Sequence, residues 1–122
     1  MNIEQFKPLP ESARGYRIPV LTFKGRYFSL SKSARRVLAA SNQKYFSLLL
    51  NEDTKEIIAQ PSKKPELQLH NNSNIWTRTT LVHKVQKAFV VEETDTLRMV
   101  GEILPDKNAL IFKIDDDEII NN

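Results

Sequence analysis

The chain has no cysteine. Disulfides, thiolate zinc sites, iron–sulfur clusters and a cysteine nucleophile are therefore excluded, and the usage suits a reducing compartment. Glycine is scarce, at three residues in 122, which leaves little scope for phosphate-cradling loops. No nucleophile elbow and no His-Glu-x-x-His motif occurs either. The two histidines, His70 and His83, have no second ligand at metal spacing and read as ordinary surface groups. No run approaches the roughly 18 apolar residues of a membrane-spanning helix, and Met1 to Lys7 lacks the apolar core of a secretion signal. The expectation is a soluble, cytoplasmic, non-enzymatic protein with no cofactor and no metal.

What is present is an ordinary globular composition, with 40% hydrophobic and 27% charged residues. That predicts one folded domain with one core. The net charge of +3 is unevenly spread. Residues 1–90 carry 15 Lys and Arg against 6 Asp and Glu, whereas residues 91–122 carry 3 against 9. A basic working surface and an acidic end follow, or else two solvated faces.

Along the chain, residues 1–17 with Pro8, Pro10 and Gly15 read as an irregular lead-in. Ile18 to Phe23 and Arg26 to Leu30 read as strands around a Lys24-Gly25 turn, with Pro19 at a strand start or edge. Ser31 to Ala40 reads as a helix capped by Ser31, with Leu30, Ala34, Val37 and Leu38 on one face. Tyr45 to Leu50 and Glu56 to Gln60 form a hairpin around Asn51 to Thr54, ending at Pro61. Residues 62–74 form a polar loop whose middle Leu67 and Leu69 could pin. The order then recurs. Ile75 to Arg78 is a short strand, and Thr79 or Thr80 caps a helix to Phe89 with Leu81, Val82, Val85 and Ala88 on its stripe. Thr96 to Leu104 and Ala109 to Ile114 make a second hairpin. Asp115 to Asn122 reads as an acidic tail. The fold class is thus mainly β with two short α-helices, an α+β small barrel or two-layer packing. It is built from two strand-helix-hairpin units, 18–61 and 75–114.

Two basic constellations stand out. Lys32, Arg35 and Arg36 lie near a capped helix start, where free N–H groups and positive charge favour phosphate. Lys24 and Arg26 beside Phe23, Tyr27 and Phe28, Lys44 beside Tyr45 and Phe46, and Arg78 beside Trp76 interleave cations with aromatics. That pattern suits a single strand, with bases stacked on exposed rings and cations along the backbone. In strands, alternate rings fill the core instead, so Phe23, Phe28 and Phe46 read as buried. Tyr27, Tyr45 and Trp76 remain as candidate platforms.

Arg26 to Pro61 resembles the swapped-hairpin DNA-binding domain of AbrB-type transition regulators and MazE-type antitoxins. That family runs from a strand through Leu/Ile-Pro-Lys, two residues and Arg to an apolar turn and a hairpin. Here Leu30-Ser31-Lys32 leads to Arg35 and Leu38, and Pro61 closes the hairpin. Ser31 stands in place of the family proline, and Asn42-Gln43-Lys44 in place of Gly-Asp. The resemblance implies interleaved hairpin units with basic residues near the helix start facing duplex DNA, and here the two halves could supply both copies. Three readings follow: a DNA-binding regulator; a protein-interaction, accessory or inhibitor module of a phage or mobile element; and a single-strand nucleic-acid binder.

Overall fold

The computed structural model describes residues 18–69, 74–104 and 106–114. The lead-in 1–17, positions 70–73 of the polar loop and the acidic segment 115–122 lie outside them. The elements are β1 (Val20–Lys24), β2 (Tyr27–Leu30), α1 (Lys32–Ala39), β3 (Tyr45–Asn51), β4 (Glu56–Ser62), β5 (Leu67–Gln68), β6 (Ile75–Thr77), α2 (Thr79–Phe89), β7 (Leu97–Leu104) and β8 (Ala109–Ile114). All strands join one sheet in the order β5-β3-β4-β8-β7-β1-β2-β6, and every pairing is antiparallel. The sheet curls into a nearly closed barrel. Across the remaining gap the Trp76 indole N–H donates to the Gln68 carbonyl at 2.7 Å.

Period-two burial places one side of each strand in the core. Leu21 and Phe23 of β1, Phe28 and Leu30 of β2, and Ile57 and Ala59 of β4 are buried, as are Met99 of β7 and Phe112 of β8. With Leu38, Val82, Val85 and Phe89 from the helices they form a single apolar cluster. Its centre is aromatic. Phe28 stacks on Trp76 at 5.4 Å between ring centroids, and Phe46 meets the Trp76 ring edge-on at 5.2 Å.

The two halves interleave, since the β7–β8 hairpin sits between β4 and β1. A pseudo-two-fold relation accounts for every neighbour but one: β1 pairs with β2, whereas the counterparts β5 and β6 flank the gap. β2 pairs with β6 and β4 with β8, while β1 on β7 is matched by β5 on β3. The registers agree as well. The Phe46–Pro61 and Asn51–Glu56 pairs of one hairpin fall on Met99–Ile114 and Leu104–Ala109 of the other. Among the described residues, four non-glycine residues have positive φ, and they too form two equivalent pairs. Asn42 (66°) and Val90 (56°) follow the helices, and Lys55 (59°) and Asn108 (51°) precede the returning strands.

Several sequence expectations are corrected. β1 starts at Val20, after Pro19, and runs on through Lys24; β2 starts at Tyr27, leaving Arg26 in the turn. The first hairpin turn is Glu52 to Lys55, because left-handed Lys55 is needed to re-enter β4. β4 continues through Pro61 to Ser62. β8 flanks it only along Ile57 to Ala59, so the missing N–H of Pro61 falls on an open side. The polar loop contains a strand, β5, where Leu67 is buried opposite Phe46. Neither Thr79 nor Thr80 caps α2. Both lie inside the helix, and Arg78 occupies the cap position with no side-chain cap hydrogen bond. Trp76 is no exposed platform. It is 2% exposed at the barrel centre, because an indole with a carbonyl partner can be buried without stranding its N–H.

Candidate functional site

The ladder between β2 and β6 divides the predicted basic residues. At one end, Leu30 leads through Ser31 into α1. Ser31 caps α1 as expected: its Oγ accepts from the N–H of Ala34 at 3.4 Å and from that of Val20 at 2.9 Å. Ala34 and Leu38 face the core, and Lys32 and Arg36 are thereby turned to the exposed side. Arg35 is half-buried, and its Nε is fully buried without a hydrogen-bond partner among the described residues.

At the other end, the Lys24-Gly25-Arg26 turn meets the start of α2, where the Arg78 N–H donates to the Arg26 carbonyl at 3.1 Å. Glu93 braces this turn twice. Its carbonyl accepts from the Gly25 N–H at 2.9 Å, and its carboxylate lies 3.5 Å from Arg26 Nε and 3.9 Å from His83 Nε2. Arg78 folds back, donating from Nη1 to the Thr77 carbonyl at 2.8 Å. Lys24 is exposed beside it. Lys44 is exposed before β3, and its carbonyl accepts from the Leu69 N–H at 2.8 Å. Six of the seven predicted cations thus fall into two groups, one per end of the ladder, with Lys44 apart from both, just before β3. The ladder from Tyr27 to Leu30 spans roughly 10 Å, by strand rise.

Of the candidate stacking rings, Trp76 is buried, Tyr45 half-buried and Tyr27 38% exposed. Among the described residues, these rings form no wall of consecutive exposed platforms.

A feature without a motif lies elsewhere. A groove of about 1140 Å3 runs between β3 and the first two turns of α2. Leu48, Leu50 and Val85 line its apolar floor, Arg78 and Lys84 one rim and the β3–β4 turn the other. Sequence reasoning missed it, because it arises where two distant segments fail to pair. Among the described residues, no group of three or more His, Asp or Glu side chains could hold a metal ion, and no helix is long and apolar enough to cross a membrane. No family model, curated protein or solved structure matches the chain.

Proposed function

We propose that this protein is a small, non-enzymatic DNA-binding regulator that acts in the cytoplasm of its host and grips the phosphate backbone. The observation that carries the reading is the pair of basic groups at the two ends of the β2–β6 ladder, Lys32 and Arg36 on α1 and Lys24, Arg26 and Arg78 around the start of α2. The strand between them is roughly 10 Å long by strand rise, of the order of the ~12 Å width of a DNA major groove. Two groups about a pseudo-two-fold axis suit a duplex, whose two strands are themselves related by such axes. The resemblance of Arg26 to Pro61 to the AbrB- and MazE-type domains supports the same reading.

Lys32 and Arg36 carry more of the contact than Arg35, whose head is partly turned into the protein, and more than Arg26, which Glu93 holds. The burial of Trp76 weighs against a single-strand binder.

The test is duplex binding measured across a salt series. The Lys32→Ala/Arg36→Ala variant should bind more weakly and lose about two units of the slope of log K against log salt, one per released counterion. Its melting temperature should hardly move, since exposed charges contribute little stability. Absence of duplex binding by the wild type at low salt sinks the proposal.

A further inference from the structure

The two halves differ most at the outer edges of their first hairpin strands. At the second of these hairpins, β7–β8, β1 pairs with β7 from Val20–Val100 to Phe23–Leu97. The extended chain then continues the ladder, as the Gly101 N–H donates to the Pro19 carbonyl at 2.8 Å. At the first, β3–β4, β5 pairs with β3 only at Tyr45 and Phe46. The reason is chain length. β4 ends at Ser62 on one side of β3, and β5 begins at Leu67 on the other. The four residues between are used in crossing the strand end, with a turn at Lys64 to Glu66. Pro65 holds the place in the second half that Pro19 holds in the first, yet it cannot reach the position that Pro19 fills.

From Ser47 to Asn51, then, one edge of β3 pairs with no strand among the described residues. The groove opens along this edge. Three consecutive residues, Leu48, Leu49 and Leu50, line it. Only a strand edge presents consecutive residues, because alternate side chains point to opposite faces. α2 is the far wall. The Trp76–Gln68 hydrogen bond ties the two walls at one end. At the other, Lys55 Nζ donates to the Ala88 carbonyl, and its ammonium sits 5.8 Å from the Phe89 ring centroid.

We infer that this groove is a docking site for an extended peptide segment of a partner protein, which adds to the free edge of β3 antiparallel to it. The molecule already contains the start of the occupied version, since Pro19 continues β1 along the equivalent edge of β7 as far as Gly101. Five residues of edge correspond to about 16 Å, the length of a typical strand. Charge sets the direction. An antiparallel segment enters beside Glu52 and Asp53 and leaves beside Arg78 and the start of α2, where the helix dipole adds to the positive charge. The partner is therefore basic at its N-terminal end, apolar at alternate positions and acidic at its C-terminal end. The loop carboxylates oppose a phosphate backbone in the same place. Strand addition of this kind draws affinity from main-chain hydrogen bonds and specificity from side-chain pockets. The inference shares Arg78 with the DNA reading and otherwise rests on residues which that reading does not use.

The probe is the blocked peptide acetyl-Lys-Val-Thr-Val-Glu-amide, added to the full chain while amide hydrogen exchange is followed. Saturable slowing of exchange is expected at alternate β3 amides, those of Leu48 and Leu50, because the amides between them face β4. The charge-reversed peptide acetyl-Glu-Val-Thr-Val-Lys-amide should bind at least five-fold more weakly, and Lys84→Glu, an exposed change, should lose the preference while leaving the melting curve intact. No protection at millimolar peptide overturns the inference. So does protection that appears only after residues 115–122 are removed, which would make the chain's own acidic segment the occupant. Stronger protection of the same amides by oligo(dT) would make the groove a nucleic-acid site and would also overturn it.

Discussion

Val90 is the most strained residue described. It ends α2 in the left-handed region at φ 56°, where a β-branched side chain is seldom found. At 86% exposure it has little packing to offset that conformation. The equivalent position after α1 holds Asn42, a residue that tolerates left-handed backbone. Val90→Asn should therefore stabilise the protein, by about 0.5–1 kcal/mol, the scale of a relieved backbone mismatch. Urea denaturation should show a raised midpoint at unchanged slope, and a lowered midpoint would contradict the strain argument. Gly101 presents the opposite case. Its φ is ordinary, and its lack of a side chain matters for space alone. A Cβ there would lie 2.7 Å from Cε1 of Phe112, a ring with no exposed surface, and 3.2 Å from Cβ of Pro19. Gly101→Ala should cost roughly 1–3 kcal/mol, the usual penalty for overpacking a core that cannot shift. A thermal melt within a degree of wild type would mean that the β1–β7 contact is looser than its geometry indicates.

Among the elements, those that announce themselves locally were legible in the sequence. α1 carries its signal in Ser31 and in the Ala34–Leu38 face, and both hairpins show apolar runs around polar turns. Phe23, Phe28 and Phe46 were also readable as core from strand alternation. What the sequence hid depends on partners far along the chain. β5 is two residues in a polar loop, and it is a strand only because β3 offers Tyr45 and Phe46 to pair with. Trp76 looked free to stack on a base because its hydrogen-bond partner, Gln68, belongs to that unrecognised strand. Thr79 and Thr80 had cap chemistry, but the β2–β6 ladder holds Arg78 against Arg26 and starts the helix a residue early. The site followed the same division. The basic residues of α1 were readable as a cluster from helical spacing. Their separation from Lys24, Arg26 and Arg78 by a strand length was not, and the groove left no sequence signal.

The whole molecule carries its repeated pattern of elements in conformation more than in composition. Leu21 and Leu67 hold equivalent buried places, as do Phe28 and Trp76, and Ala34 and Val82, while identity between the halves is slight. Unequal links between the units shift the correspondence along the chain, which is why no fixed period shows. Interleaving has an energetic consequence. In the first half alone, β1–β2 and β3–β4 are not neighbours, since β8 and β7 separate them. Fragment 1–62 would thus consist of two unconnected hairpins with exposed apolar faces, and a lone hairpin is marginal in water. Fragment 63–122 would leave the outer edges of both β7 and β8 without their partner strands. Each fragment should lack a cooperative thermal transition, and each is near the size at which a lone core fails. Mixed at micromolar concentration, they should regain one, because the missing strands of each are supplied by the other. Circular dichroism of the separate and mixed fragments decides the matter. A cooperative melt of either fragment by itself would show that one half holds its own core. The pseudo-two-fold arrangement, and the pair of basic groups that depends on it, would then lose their physical basis.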